Sequence, residues 1–92
     1  MAEAKVVLVT GAARRIGACI VETFHQHAYR VIVHHRQSAV AAKALVDKLN
    51  ELRPNSAGCF GADFNNKAEV ERLAGAALDC FGRLDVLVNN AS

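Results

Sequence analysis

The stretch Val6-Val7-Leu8-Val9-Thr10-Gly11-Ala12-Ala13-Arg14-Arg15-Ile16-Gly17 determines how the rest of the chain is arranged. The apolar, β-branched run that ends at Val9 predicts a strand buried on both faces. Gly11 permits a tight turn, and a helix is predicted to begin near Arg14 or Arg15. The free N–H groups and positive dipole end of that helix then point over the carboxyl end of the strand. This geometry predicts an anion site, and the alternative is a tight strand–helix turn without a ligand.

Length, charge and composition restrict the class of protein. The 92 residues are 52% hydrophobic and 22% charged, which indicates one small folded domain or a part of a larger one. A net charge of +2 is too small to indicate a nucleic-acid partner. No apolar run approaches the ~20 residues of a membrane helix, and the first residues lack a signal-peptide pattern. We therefore expect a cytosolic protein that binds neither nucleic acid nor membrane.

The cysteines and histidines give no sign of a metal or disulfide site. The three cysteines lie far apart in the sequence, without a Cys-x-x-Cys pair, and are expected to be free, buried thiols. The spacing of the four histidines matches no known site with a third ligand, so no metal is predicted.

Strand and helix patterns alternate along the whole chain. Helices are predicted over about 15–28 and 39–52, and from an Asn66/Glu69 capping box to Gly82; strands are predicted over 30–35, 57–62 and 84–88. The order βαβαβαβ with right-handed crossovers predicts an α/β fold, a Rossmann-like doubly wound parallel sheet in strand order 3-2-1-4. The carboxyl ends of strands one and four, near Gly11 and Asn90, then open into one crevice.

Apolar periodicity predicts which helix faces contact the sheet. In the first helix, the repeat Ile16, Ile20 and Phe24 forms one apolar stripe, with His25 on the other face. Gly17 lies inside this helix, where close helix–strand packing is the best reason for a glycine. In the second helix, Ser38 is the predicted N-cap, and the buried stripe consists of Ala42, Leu45, Leu49 and Leu52.

The end of the second strand indicates which dinucleotide fits. An NAD site usually carries an acidic residue there, about 20 residues beyond the glycines, for the ribose 2′-hydroxyl. Here the sequence is His34-His35-Arg36-Gln37-Ser38, without a carboxylate. Arg36 is suited to chelate a 2′-phosphate, Ser38 to donate from a helix start, and Arg14 to approach the same group. NADP(H) is the predicted cofactor; the alternative is that Arg36 is a solvated surface residue.

Three motifs together resemble the short-chain dehydrogenase/reductase family over essentially the whole chain. They are Thr10-Gly11 with Gly17, Asp63 after the third strand, and Asn89-Asn90-Ala91 after the fourth. Two departures are similar to the pteridine reductase branch, which reduces biopterin and folate with NADPH. Arg15 and Ser92 each stand where the family usually has a glycine. The resemblance therefore implies an NADPH-dependent pterin or folate reductase.

The resemblance implies a phosphate-binding role for the residues that follow the first two strands. Arg15 is expected beside the cofactor phosphates and on the pterin side of the pocket, and Ile16 is expected to contribute a backbone N–H. The 2′-phosphate is expected to lie among Arg36, Gln37 and Ser38, with His34 and His35 nearby.

The resemblance also implies contacts for the adenine and nicotinamide ends of the cofactor. Asp63 is expected to bind the adenine amino group, with Phe64 adjacent to it. Asn90 and Ala91 are expected at the adenosine ribose and the middle of the cofactor. Ser92 is expected to face the nicotinamide and the pterin.

The catalytic pair of the family has no counterpart in this chain. Family members protonate their substrate with the tyrosine of a Tyr-x-x-x-Lys pair on a later helix. The single tyrosine, Tyr29, is followed four positions on by Val33, so we expect Tyr29 to pack and the chain to hold no catalytic residue. Residues 1–92 are thus expected to be the N-terminal dinucleotide-binding part of one longer domain. The resemblance implies that the full-length protein is a homotetramer.

Three functions follow from the sequence. The first is pterin and folate reduction by an NADPH-dependent full-length protein. The second is another short-chain reductase activity, on 3-oxoacyl or small carbonyl substrates. The third is nucleotide binding without catalysis.

Overall fold

The computed structural model describes residues 4–63 and 65–90, in which strands and helices alternate. The elements are β1 (Val6–Val9), α1 (Arg15–Gln26), β2 (Arg30–His35), α2 (Ala39–Leu52), β3 (Ala57–Gly61), α3 (Lys67–Phe81) and β4 (Val86–Val88). All strand pairs are parallel, and the sheet order is β3-β2-β1-β4. The predicted Rossmann-like topology is confirmed.

The sheet separates two apolar layers. Side chains alternate along the strands, so Val7, Val9 and Val33 pack with α1 and α2, whereas Leu8 and Ile32 pack against α3. Every residue of β1 is buried, because β1 has a strand on each side and helices over both faces.

The register brings three strand ends to one edge of the sheet. Val9 pairs with Val33 of β2 on one side and with Val88 of β4 on the other. β1 and β4 end at this level and β2 continues two residues further to His35, so the loops that follow the three strands meet above β1.

Helix α1 buries a different face from the one that its apolar stripe suggested. Gly17, Val21 and His25 are its buried residues, whereas Ile16 is 71% exposed. The prediction that His25 lies on the opposite, solvated face is wrong. Gly17 lets the helix approach the turn after β1 closely, so the i, i+4, i+8 row that contains Gly17 faces the sheet. The apolar stripe lines an open groove with Ile16, Cys19, Ile20, Thr23 and Phe24.

Helix α2 has the predicted bounds, with two differences in detail. Ala42, Leu45, Val46 and Leu49 are buried, but Leu52 is 71% exposed because it ends the helix. Ser38 occupies the N-cap position without a side-chain capping bond.

Helix α3 begins with half of the predicted capping box. The side chain of Asn66 accepts a hydrogen bond from the Glu69 N–H at 3.3 Å. The Glu69 carboxylate accepts from the Asp63 N–H at 2.8 Å instead of returning to Asn66, so it links the helix to the loop after β3. Gly82 ends the helix with a φ of 77°, a conformation that favours glycine.

A buried polar cluster lies where α1 and α2 end. Nε2 of His25 donates to Oγ of Ser56 at 2.7 Å, and the Ser56 hydroxyl donates to the Arg53 carbonyl. The Arg53 guanidinium donates to the carbonyls of His25 and Tyr29. Burial, and then the nearby Arg53 charge, lower the pKa of His25.

Tyr29 is a packing residue, and the three cysteines are free thiols. Tyr29 packs edge-on against Phe24, with ring centroids 4.9 Å apart, as predicted. The cysteines are free, but the prediction that they are buried is wrong: Cys19 and Cys80 are exposed on their helices and Cys59 is half-buried.

Residues 4–63 and 65–90 contain neither a membrane-spanning helix nor a cluster of metal-binding side chains. No helix there is long and apolar enough to span a membrane. No three metal-binding side chains there lie close enough together to hold an ion.

Candidate nucleotide-binding site

A cleft of about 720 Å³ opens above β1, at the edge where the strand ends meet. Loops after all four strands and the first turn of α1 contribute to its wall. The lining residues are Gly11, Arg14, Arg15, Ile16, Gly17, His34, Arg36, Ala62, Asp63, Asn65 and Asn90.

The turn after β1 is tied to the end of β4. Thr10 Oγ1 accepts a hydrogen bond from the Asn90 N–H at 2.9 Å and donates to Asn89 Oδ1 at 3.2 Å. The Asn90 side chain donates to the Gly11 carbonyl at 3.1 Å. Gly11 itself has a φ of 60°, which glycine adopts without strain. The two sides of the crevice are therefore held at a fixed separation.

Gly17 allows α1 to begin close beneath this turn. A Cβ atom at Gly17 would lie 2.5 Å from the Gly11 carbonyl oxygen, 2.7 Å from the Ala12 Cα and 2.8 Å from the Asn90 side-chain nitrogen. Two of these neighbours are backbone atoms and cannot move aside easily. The first helical N–H groups can therefore lie at this position only because residue 17 has no side chain.

Arg15 occupies a backbone conformation that normally selects glycine. Its φ is 59°, in the left-handed region, which costs a residue with a side chain about 1–2 kcal/mol. Arg15 is exposed and lines the cleft. Strained residues persist at functional sites when the side chain has a role there, and here the side chain places a cation at the helix start.

The end of β2 forms a second, adjoining pocket of about 380 Å³. Its walls are Gly11, Ala13, Arg14, Arg15, His35, Arg36, Gln37 and Ser38. Arg36 belongs to both cavities and lies 3.8 Å from the Asp63 carboxylate, Nε to Oδ1. Among the residues that line this pocket there is no carboxylate.

The two histidines at the end of β2 have different environments. His34 is buried beneath the turn, where its ring accepts from the Gly11 N–H at 2.9 Å. The ring of His35 lies against Gly61, where a Cβ would come within 2.9 Å of Cε1. Burial lowers the pKa of His35. Within the described part of the chain, Nδ1 of His35 is buried without a hydrogen-bond partner.

The charges of the two cavities favour an anion. Arg14, Arg15 and Arg36 face one carboxylate, that of Asp63. The amino-terminal end of α1, a helix of 12 residues, adds its partial positive charge at the same place. Positive charge gathered at the start of a helix, beside a turn that carries no side chain at position 11, is suited to binding a phosphate group.

The structure brings together every predicted site residue that it describes. Twelve of the fifteen line the two cavities: Gly11, Arg14, Arg15, Ile16, Gly17, His34, His35, Arg36, Gln37, Ser38, Asp63 and Asn90. The predictions for Phe64, Ala91 and Ser92 fall outside the described residues.

Three lining residues were not predicted from the sequence. Ala13, Ala62 and Asn65 contribute to the walls. Asn65 lies two positions after Asp63 in the loop that follows β3, which was the available signal. The alanines have no functional group that would have identified them.

Comparison with known proteins agrees with this architecture. Residues 5–92 match the sequence profile described as short chain dehydrogenase. The chain is 41% identical to pteridine reductase 1 of Leishmania tarentolae, over 97% of the chain and 37% of that protein. It is 40% identical to a 3-oxoacyl-[acyl-carrier-protein] reductase of Synechocystis, over 96% of the chain and 35% of that protein. It is 36% identical to momilactone A synthase of rice, Oryza sativa subsp. japonica, over 95% of the chain and 30% of that protein.

The chain therefore spans about a third of the length of these curated relatives. Their shared part is the part that forms the cleft in this structure. The activities in their names differ, although their identities to this chain are similar.

Proposed function

The chain belongs to the short-chain dehydrogenase family, and on that basis we propose that it forms the NADP(H)-binding part of an NADPH-dependent reductase of pterins and folates. The observation that carries the proposal is the end of β2, where Arg36, Gln37 and Ser38 border a pocket without a carboxylate. An acidic residue there would repel a 2′-phosphate, whereas a guanidinium binds it through charge-assisted hydrogen bonds.

Different described residues are proposed to bind different parts of the cofactor. Arg15 and the first turn of α1 would hold the pyrophosphate. Arg36, Gln37 and Ser38 would hold the 2′-phosphate, and Arg14 would approach the same group. Asp63, at the end of the β3 loop, would accept from the adenine amino group. Asn90 would lie beside the ribose. The proposal for Phe64, Ala91 and Ser92 stands on the family resemblance alone.

NADPH supplies a hydride when it is bound, and this chain fixes the half of the cofactor that does not react. Arg15 is proposed to reach the substrate side, and for Ser92 the same proposal rests on the family resemblance alone. No Tyr-x-x-x-Lys pair occurs in the sequence, and Tyr29 packs on Phe24. We therefore expect the 92 residues alone to bind nucleotide without transferring hydride.

The proposal that pterins and folates are the substrates rests on two resemblances. The arginine at the strained position 15 and the sequence of the β2 end are similar to the pteridine reductase branch, and pteridine reductase 1 is 41% identical. A 3-oxoacyl or small-carbonyl reductase is the second candidate, because a 3-oxoacyl reductase is 40% identical. A non-catalytic nucleotide-binding role is the third.

One set of assays distinguishes the three functions. The protein is expressed from its own complete gene, and NADPH oxidation is followed with dihydrobiopterin, dihydrofolate and an acetoacetyl thioester. We expect turnover with the pterins. Turnover with the thioester alone would support the second candidate and contradict the first. Binding of 2′,5′-ADP by calorimetry without any turnover would support the third.

Location and assembly are part of the same proposal. We propose a cytosolic homotetramer in which residues 1–92 are the N-terminal part of one Rossmann-fold domain. Two apolar surfaces support the last point: the groove along α1 and the edge strand β4, where Leu87 is 61% exposed. An exposed β-branched edge is an aggregation hazard unless another strand or helix covers it.

A further inference from the structure

His34 lies in β2 and makes hydrogen bonds to the loops that follow β1 and β3. Its side chain is buried, with the residue 3% exposed. Nδ1 accepts from the Gly11 N–H at 2.9 Å, and its backbone carbonyl accepts from the Ala12 N–H at 2.9 Å. Nε2 lies 2.9 Å from the carbonyl oxygen of Ala62. One residue thus binds two consecutive amides of the turn after β1 and the first residue of the loop after β3.

These hydrogen-bond partners determine which nitrogen of the imidazole ring carries the proton. The Gly11 N–H can only donate, so Nδ1 must carry no proton. The Ala62 carbonyl can only accept, so Nε2 must carry one. The neutral Nε2–H tautomer is the form that satisfies both bonds, and the other neutral tautomer would lose both.

The position of the turn depends on these bonds. Gly11 has a φ of 60°, and its carbonyl is already bound to the Asn90 side chain. That carbonyl and the Ala12 N–H belong to one peptide group, which the Asn90 side chain and the His34 carbonyl hold from its two sides. The Gly11 N–H belongs to the preceding peptide group, and His34 Nδ1 is its partner. The orientation of both peptides determines where α1 begins and where its free N–H groups point.

We propose that His34 is a positioning residue for the pyrophosphate half of the dinucleotide, and that it is not a ligand of the 2′-phosphate. This inference rests on the proposed function, because it assumes that a dinucleotide occupies the cleft. It assigns His34 a role different from that of Arg36, which faces solvent in both cavities. Its effect on the pyrophosphate passes through Gly11 and Ala12.

Three substitutions separate the two ring bonds. His34→Asn places an amide oxygen where Nδ1 lies and retains the Gly11 bond. His34→Gln places an amide nitrogen near Nε2 and retains the Ala62 bond alone. His34→Leu removes both. The order of affinities among these variants therefore reports which bond matters.

The probes separate the pyrophosphate from the 2′-phosphate. Calorimetry on the protein expressed from its own complete gene measures the dissociation constants of NADPH, NADH, ADP and 2′-AMP. We expect His34→Gln and His34→Leu each to weaken the binding of NADPH, NADH and ADP about tenfold, which is the effect of about one lost hydrogen bond. The ratio of NADPH to NADH affinity should not change, and 2′-AMP should bind within about twofold of wild type. His34→Asn should restore ADP binding to within about threefold.

The outcomes distinguish this inference from the proposed function. Wild-type protein that binds neither NADPH nor 2′-AMP would contradict the proposed function. The positioning role would be overturned if the wild type bound these nucleotides and His34→Gln lost no affinity. It would also be overturned if the variants lost affinity for ADP and for 2′-AMP equally. Imidazole ¹⁵N NMR of the wild type supplies a test that needs no variant: we expect a protonated Nε2 and a bare Nδ1. A protonated Nδ1 would overturn the assignment.

Discussion

Arg36 and Asp63 face each other across the cleft at 3.8 Å, and both are largely open to solvent, with side chains 58% and 40% exposed. An ion pair of this kind contributes about 0–1 kcal/mol, so it does not withhold Arg36 from a phosphate. The pair instead joins the end of β2 to the loop after β3. The residue proposed for the 2′-phosphate and the residue proposed for adenine are thus oriented by each other before a nucleotide binds.

Replacement of Arg36 by aspartate tests the 2′-phosphate assignment. A carboxylate at this position would repel the 2′-phosphate and remove a charge-assisted hydrogen bond. We expect Arg36→Asp to weaken NADPH by about tenfold to a hundredfold, and NADH by less than about threefold. Lys5→Asp, at the opposite end of β1, makes the same charge change away from the cleft and is the control. Equal losses of NADPH and NADH in Arg36→Asp would contradict the assignment.

The site residues were predictable because they follow parallel strands, and parallel strands end at one edge of a sheet. That rule located Gly11, Arg36, Asp63 and Asn90 in one crevice without any knowledge of side-chain contacts. The bond from Gly11 to His34 was not predictable in the same way. It depends on the orientation of the His34 ring, one residue before the end of β2, and residue spacing does not determine this orientation.

At the scale of elements, α1 shows where periodicity is insufficient. The sequence contains two i, i+4, i+8 rows, Ile16-Ile20-Phe24 and Gly17-Val21-His25, and only the first is uniformly apolar. The second faces the sheet, because a helix that begins against a tight turn can approach it only on its smallest residue. Helix α2 begins and ends as predicted, although Ser38 makes no capping bond, and Pro54, which cannot continue a helix, follows its C-cap Arg53.

Two glycine substitutions test this account of α1. Gly17→Ala would bring a Cβ within 2.8 Å of two backbone atoms and one side-chain atom, so we expect a loss of about 1–3 kcal/mol in the free energy of unfolding. Gly75→Ala in α3 is the matched control, since a Cβ there has nothing within 4 Å. It should stabilise the protein by up to about 1 kcal/mol. Urea unfolding measures both, and a neutral Gly17→Ala would show that the packing is not restrictive.

At the scale of the whole molecule, the two ends of the sheet have different roles. The carboxyl end gathers exposed cations around a cleft. At the ends of α1 and α2, His25, Ser56 and Arg53 form a buried hydrogen-bonded cluster that joins the two helices to the start of β3. The exposed cations around the cleft can change with little effect on folding, whereas a buried polar cluster loses stability when one member becomes unsatisfied.

The pH dependence of stability follows from this buried cluster. The pKa of His25 is lowered in the folded protein, chiefly by burial, and burial also lowers the pKa of His35. The unfolded chain therefore takes up protons at these positions at a higher pH than the folded one does. Below about pH 6.5, the ordinary histidine pKa, the unfolded state binds more protons and the free energy of unfolding falls as the pH is lowered. The fall ends once the pH is below the folded pKa values.

His25→Gln tests the contribution of this histidine, because glutamine retains an amide nitrogen that can donate to Ser56 but does not titrate. We expect a smaller decrease in the free energy of unfolding between pH 7.5 and pH 5 than in the wild type, measured by urea unfolding at each pH. His27→Gln removes an exposed histidine just beyond the same helix and serves as the matched control. If both variants changed the pH dependence equally, burial of His25 would not be its source. Residual dependence in His25→Gln is assigned to His35, whose ring lies at the opposite end of the sheet.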